Sequence, residues 1–265
     1  MNYQLYNEDC LYGMKKIESG VIDLVVTSPP YDNIRTYNGY SFDFENIAKE
    51  LYRVLSDGGV LVWIVSDGTE NGSETGTSFR QALFFKEIGL NIHDTMIWKK
   101  DTCGFPEKTR YYPVFEYMFV LSKGQPKTIN LIEDRKNLYA GYYIHGTDRQ
   151  ADGRLTKVSG LKANRHVKEY GARFNVWDIP SEKNNKTGHP AVFPNSIARD
   201  HIISWSNKGD TVLDPFSGSG TTAIAALNLG RKFIGFEISS EYYEKSIKRI
   251  KEETAQMSIY DFINA

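Results

Sequence analysis

Thr211-Val212-Leu213-Asp214-Pro215-Phe216-Ser217-Gly218-Ser219-Gly220-Thr221-Thr222 carries the strongest fold signal in the chain. A short β-branched run meets a glycine-rich turn, and an apolar helical pattern continues from the turn to about residue 229. Lys232-Phe233-Ile234-Gly235-Phe236-Glu237 follows as a second strand. Glycines allow a backbone to approach a ligand closely, and the N-terminus of the following helix is electropositive. The turn lacks the lysine of a phosphate-binding P-loop, which argues against nucleotide hydrolysis. Its spacing also differs from the dinucleotide fingerprint. Glu237 ends the second strand 23 residues after Asp214, where an acidic side chain is placed to accept hydrogen bonds from two ribose hydroxyls. Together the turn and Glu237 point to a nucleoside-containing cofactor.

Outward from this unit, the same alternation recurs. Ile22-Asp23-Leu24-Val25-Val26 reads as a strand stopped by Ser28-Pro29-Pro30, because Pro29 cannot donate to a ladder. A short helix is expected over residues 9–17, with Asp9 as its cap. Residues 44–55 form an amphipathic pattern that Asp57-Gly58-Gly59 should terminate, and residues 60–65 a buried strand. A helix over 78–88, strands over 95–98 and 116–121, a helix over 196–204 and a charged helix over 241–256 complete the reading. Such alternation predicts an α/β fold, a doubly wound and mostly parallel sheet.

Composition narrows the classes. The 265 residues are 40% hydrophobic and 25% charged, a globular balance that fits one α/β core with a small appended lobe. No run reaches the roughly 18 apolar residues that a membrane span needs, and the N-terminal residues lack a secretory pattern. Cys10 and Cys103 cannot form a disulfide framework, and the five histidines show no metal-ligand spacing. No metal is expected, and the expected compartment is a reducing cytoplasm. The net charge of −1 hides an asymmetry: residues 123–187 carry 13 Lys+Arg against 7 Asp+Glu, and the remainder 19 against 26. A basic block within an acidic chain suits a segment that grips phosphates. Periodicity is also lost there. The expected organisation is a catalytic domain over 1–122 and 189–265, interrupted by an irregular insertion over 123–188.

Thr27-Ser28-Pro29-Pro30-Tyr31 lies at the carboxyl end of its strand, where open α/β sheets bind ligands. The prolines stiffen the backbone, so the Ser28 hydroxyl and the Pro29 carbonyl form a rigid pair of acceptors. Tyr31 adds a flat ring. Two acceptors and a ring suit an exocyclic amino group on a planar base.

The two motifs together resemble the S-adenosylmethionine-dependent amino-methyltransferases of DNA. In that family an FxGxG loop binds the cofactor and an (Asp/Asn/Ser)-Pro-Pro-(Tyr/Phe) element binds the target amine. Ser-Pro-Pro-Tyr comes first here and Phe216-Ser217-Gly218-Ser219-Gly220 much later, an order similar to the β class. Asn7-Glu8-Asp9-Cys10 resembles that class's N-terminal element, and Val176-Trp177-Asp178-Ile179-Pro180 with Gly188-His189-Pro190-Ala191-Val192-Phe193-Pro194 resembles the segment leading back into the catalytic core. The resemblance implies a class I, Rossmann-like methyltransferase with a target-recognition insertion. It implies S-adenosylmethionine at Asp9, Cys10, Phe193, Asp214, Phe216, Ser217, Gly218, Ser219, Gly220, Thr221, Thr222 and Glu237, with Cys10 a packing residue beside the pocket. Ser28, Pro29, Pro30 and Tyr31 become the catalytic element.

Neither cysteine follows a proline, as the nucleophile of C5-cytosine methylation does in its family, so direct transfer to an amino nitrogen is expected. Serine at the first motif position resembles enzymes that make N4-methylcytosine; N6-adenine is the alternative. Double-stranded DNA is the expected partner, with Arg149, Arg154, Lys157, Lys162, Arg165, Lys168 and Arg173 able to supply phosphate and guanine contacts. The resemblance also allows a homodimer and a cognate restriction endonuclease. A catalytically silent DNA-binding module would show eroded motifs, whereas all of these are intact.

Overall fold

A computed structural model describes residues 2–30, 42–103, 108–143, 146–157, 165–181 and 193–263. The chain divides into two compact units, one of Met1–Asn130 with Asn175–Ala265 and one of Leu131–Phe174.

The larger unit is built on an eight-stranded sheet. Its strands in chain order are β1 (Tyr3–Tyr6), β2 (Ile22–Thr27), β3 (Leu55–Val65), β4 (Asn91–Lys99), β5 (Phe115–Ser122), β6 (Val176–Asp178), β7 (Thr211–Asp214) and β8 (Lys232–Phe236). The spatial order is β1-β8-β7-β2-β3-β5-β4-β6. Only β5 runs against its neighbours, β3 and β4. The helices are α1 (Cys10–Met14), α2 (Phe44–Val54), α3 (Thr77–Glu87), α4 (Asn195–Trp205), α5 (Thr221–Asn228) and α6 (Ser240–Ile263).

Alternation along the central strands explains the two-sided cover. Leu24 and Val26 of β2, with Val60, Val62 and Ile64 of β3, pack with Ile197, Ile202, Ala223 and Ile250 from α4, α5 and α6. Val25, Leu61 and Trp63 point the other way, into a cluster with Met14, Ile47, Leu51 and Phe85 from α1, α2 and α3. Val25, Leu61 and Trp63 are fully buried, and a buried side chain of this size contributes about 1.5–3 kcal/mol. The sheet is therefore doubly wound, as the alternation of elements predicts.

From β2 the chain crosses through α2 to β3 on one side, and from β7 through α5 to β8 on the other. The connections diverge between β2 and β7, which makes their carboxyl ends the topological switch point of the sheet. The β2–β7 pairing is short, Val212 opposite Leu24 and Leu213 opposite Val25, and the ladder extends no further.

Three elements differ from the sequence reading. Asp57-Gly58-Gly59 does not end α2; the helix stops at Val54 and β3 begins at Leu55, with the glycines inside the strand. β1 is an addition to that reading, being short and polar, but it pairs in register with β8 at the sheet edge. The third is β6, a strand inside the span 123–188 expected to be irregular; the compact unit Leu131–Phe174 lies within that span. The Asn130 amide donates to the Ser204 carbonyl at 2.8 Å, and β6 pairs with β4 through Trp177 opposite Trp98. A three-residue strand with one buried side chain gives almost no periodic signal.

Among its described residues the smaller unit holds two short antiparallel strand pairings, Leu155–Lys157 with Thr147–Arg149 and Tyr170–Gly171 with Arg135–Lys136, and a single antiparallel bridge between Tyr143 and His166. Arg135 stacks its guanidinium 4.5 Å above the Phe174 ring.

Candidate active site

The two sequence motifs meet at the switch point. Thr27, the last residue of β2, is fully buried, and its hydroxyl donates to Asp214 Oδ1 at 2.7 Å. The same oxygen accepts the Phe216 amide at 3.1 Å. Thr222 at the start of α5 places its hydroxyl 3.4 Å from the Val26 carbonyl. Ser28, Pro29 and Pro30 continue directly from this strand end, Pro29 buried and its neighbours half-buried. Tyr31 lies outside the described residues.

The glycine-rich turn is held from several sides. Gly220 has φ +79° and Gly218 φ +50°, a left-handed region in which other residues are strained. The Ser217 amide donates to the Phe236 carbonyl at 2.9 Å, and the Gly218 amide to Glu237 Oε2 at 2.9 Å. Glu237 Oε1 accepts the Ser239 amide at 2.8 Å. Arg249 on α6 reaches the turn through Nη1, which donates to the Ser219 carbonyl and the Thr221 hydroxyl, each at 3.1 Å. Nη1 also donates to the Ser219 hydroxyl at 3.3 Å, so the hydroxyls of Ser219 and Thr221 are both engaged on the α6 side. Phe216 packs edge-on to Phe42 at 5.7 Å and to Trp63 at 6.4 Å.

The N-terminal element joins the same corner. Asn7 Nδ2 donates to the Glu237 carbonyl at 2.8 Å, and the Glu237 amide to the Tyr6 carbonyl at 3.0 Å. Asp9 caps α1 by accepting the Leu11 amide at 2.8 Å and the Tyr12 amide at 3.2 Å. Cys10 is buried among Met14, Leu213 and Phe236. Burial pushes its thiol far above the ordinary range, with Asp9 and Asp214 adding to the effect. An inert thiol fits a packing role. Phe193 packs against the α4–α5 side of the core, while residues 188–192 of its segment lie outside the described residues.

Burial raises the carboxyl of Asp214 to about 6, against the bonds from Thr27, Thr222 and the Phe216 amide that pull it down. Burial likewise raises Glu237, opposed by the Ser239 and Gly218 amides. This corner fits a nucleoside cofactor. The Ser217 hydroxyl is buried without a partner among the described residues, and α5 opens on Gly220 with no side chain capping its amides. Each Glu237 oxygen has a second lone pair for a ribose hydroxyl.

The basic candidates of the smaller unit fall into two groups. Arg149, Lys157 and Arg165 are exposed. Arg154 pairs with Asp152 at 2.8 Å, Lys168 with Glu133 at 3.1 Å and Arg173 with Asp134 at 2.5 Å. The Arg173 hydrogen bond holds the Asp134 carboxyl below its usual range. Lys162 lies outside the described residues. No group of acidic, histidine or cysteine side chains among the described residues could hold a metal ion, and no described helix is long and apolar enough to cross a membrane.

Sequence reasoning passes over Thr27 as a site residue and Arg249 altogether. The first sits in the quoted motif; the second has no motif signal and is found only through the docking of α6 on the turn.

Comparison with known proteins gives the family. Residues 22–249 match the N6/N4 methylase family, described as DNA methylase. The chain is 56% identical over 241 residues to the orphan methyltransferase M.BamHII of Bacillus amyloliquefaciens, covering 87% of this chain and 89% of that protein. It is 29% identical over 263 residues to the DNA adenine methyltransferase YhdJ of Escherichia coli, covering 91% and 80%. Among solved structures, the PvuII cytosine-N4-specific DNA methyltransferase superposes with a TM-score of 0.67 at 20% identity, covering 96% of this chain and 91% of that one. The M1.HpyAVI complex with S-adenosylmethionine superposes with a TM-score of 0.61 at 22% identity, covering 93% and 99%. The chain belongs to the N6/N4 family of S-adenosylmethionine-dependent DNA methyltransferases.

Proposed function

We propose that this DNA methyltransferase acts on the exocyclic N4 of cytosine, in a base turned out of the duplex. The observation that carries the choice of base is Ser28 at the head of Ser28-Pro29-Pro30-Tyr31. When bound, S-adenosylmethionine supplies an electrophilic sulfonium methyl group with a good leaving group. The chain's own part is positioning and polarisation. An aromatic amine is a poor nucleophile because its lone pair is delocalised into the ring. Ser28 Oγ and the Pro29 carbonyl accept its two N–H bonds, which favours a more tetrahedral nitrogen with the lone pair directed at the methyl group. Tyr31 stacks on the base, and holding both reactants in line removes much of the remaining barrier.

On the cofactor side, Glu237 accepts from the ribose hydroxyls, the 216–222 turn and the start of α5 bind the methionine portion, and Asp9 and Asn7 border the adenine. The unit Leu131–Phe174 reads the DNA, with Arg149, Lys157 and Arg165 as its phosphate contacts. A second reading, N6 of adenine, is favoured by the similarity to a protein named as an adenine methyltransferase; Ser28 can accept from either amine.

The test is to incubate the protein with S-adenosylmethionine and unmethylated DNA of mixed sequence, digest to nucleosides and identify the product by mass spectrometry. N4-methylcytosine is expected. N6-methyladenine keeps the mechanism and overturns the choice of base.

A further inference from the structure

The strand ladder between β2 and β7 ends at Val25 and Leu213, two residues before Thr27 and one before Asp214. Beyond that ladder, no main-chain pairing of the two strands fixes the distance between Ser28-Pro29-Pro30 and the glycine-rich turn. Side chains do so instead. Thr27 Oγ1 reaches Asp214 Oδ1 at 2.7 Å, and that oxygen also accepts the Phe216 amide at 3.1 Å. From the opposite direction the Thr222 hydroxyl reaches back towards the Val26 carbonyl at 3.4 Å. Thr27, Asp214 and Thr222 are all buried, so these bonds form away from competing water and are costly to leave unmade.

We propose that Thr27 is a positioning residue, whose hydroxyl sets the separation between the amine-holding Ser28-Pro29 pair and the cofactor turn. The inference rests on the division of the site proposed above. Thr27 has no path to the reacting atoms of its own. It acts through Asp214 on one side and through the chain bond to Ser28 on the other. A threonine is suited to this because its β-branch stiffens the last strand position while the hydroxyl reaches across to β7. Valine in its place keeps the shape and removes the link.

The experiment compares Thr27→Val and Thr27→Ser with the unaltered protein in three measurements: thermal midpoint without ligand, S-adenosylmethionine affinity by calorimetry, and single-turnover methylation of DNA at saturating cofactor. Thr27→Val should bind the cofactor within about threefold of the unaltered protein, because Glu237 and the turn remain. Its single-turnover rate should fall by about 30-fold, the scale on which slight misplacement of reactants is felt. Thr27→Ser should recover the rate to within about threefold at an equal or lower thermal midpoint, since it restores the hydroxyl without the methyl group. An unchanged rate in Thr27→Val overturns the inference, and so does a failure of Thr27→Ser to recover it when folded and cofactor-bound. A loss that saturating cofactor abolishes also overturns it, because Thr27 then serves affinity alone. If Thr27→Val does not fold, Thr27→Ser and Thr222→Val carry the comparison: a rate equal to the unaltered protein in Thr222→Val, with the rate abolished in Thr27→Ser, contradicts a hydroxyl link. An unaltered protein that methylates no DNA removes the reading beneath the inference, a result distinct from all of these.

Discussion

The backbone amide of Gly218 donates to Glu237 Oε2 at 2.9 Å, so the cofactor turn is shaped by the same carboxylate proposed to hold the ribose. Replacing Glu237 with Ala should therefore both loosen the turn and remove the ribose acceptor. Cofactor affinity is expected to fall by about 10- to 100-fold, the range for hydrogen bonds to a charged group. Glu237→Gln retains one acceptor oxygen and should lie between. Calorimetric titration with S-adenosylmethionine checks both, and an unchanged affinity in Glu237→Ala contradicts the ribose role.

Arg249 braces the turn from behind. Its Nη1 donates to the Ser219 carbonyl and to Thr221 Oγ1, each at 3.1 Å. Arg249→Met keeps the length and apolar stem while removing the donors. Cofactor affinity should weaken by about 3- to 10-fold, the order of a bond or two of ordinary strength, with little change in the rate at saturating cofactor. Steady-state kinetics separating kcat from KM for S-adenosylmethionine makes the distinction.

The switch point carries a pH dependence. Burial raises Asp214 from 3.8 to about 6 in the folded chain. A carboxyl that holds its proton more tightly when folded adds stability below its unfolded value. That stability is lost as pH rises through about 6. The interval corresponds to roughly 3 kcal/mol, taken as an upper figure. Asp214→Asn should remove this part of the dependence. Thermal midpoints at intervals between pH 4 and 8 should fall less steeply with rising pH in the variant than in the unaltered protein. Equal slopes would show that Asp214 does not carry the dependence.

Most of the fold is legible from the sequence, because Leu24, Val25 and Val26 and the apolar face of residues 44–55 carry strong periodic signals. The acidic end of β8 is legible for a similar reason: Glu237 closes a clear strand at a clear distance from the glycine turn. What escapes has physical causes. β1 and β6 are short edge strands fixed by pairing with β8 and β4 rather than by their own pattern. The glycines of Asp57-Gly58-Gly59 read as a turn, yet β3 takes them in. Arg249 looks like one more charge on a charged helix, and only the docking of α6 gives it acceptors. The basic insertion stands out by its charge, but charge alone does not separate exposed Arg149 and Lys157 from Arg173, which is tied to Asp134.

That separation makes a prediction for DNA binding. Arg149→Ala, Lys157→Ala and Arg165→Ala should each weaken binding across sequences. Each should also lower the slope of log affinity against log salt by about 0.9 for every phosphate the variant no longer neutralises. Arg173→Ala should act mainly by releasing Asp134 and loosening the smaller unit, with greater sensitivity to limited proteolysis. Fluorescence anisotropy across a salt series distinguishes them. Equal slopes in all four variants contradict the grouping.

The division of labour between Ser28 and the cofactor turn is tested by measuring Ser28→Ala in two ways at once: calorimetric affinity for S-adenosylmethionine, and single-turnover methylation of DNA at saturating cofactor. If Ser28 holds the amine and the 216–222 turn with Glu237 holds the cofactor, affinity stays within about twofold while the rate falls by about 30-fold, the scale of one hydrogen bond removed from the transition state. Affinity and rate falling together, or neither changing, would contradict that division.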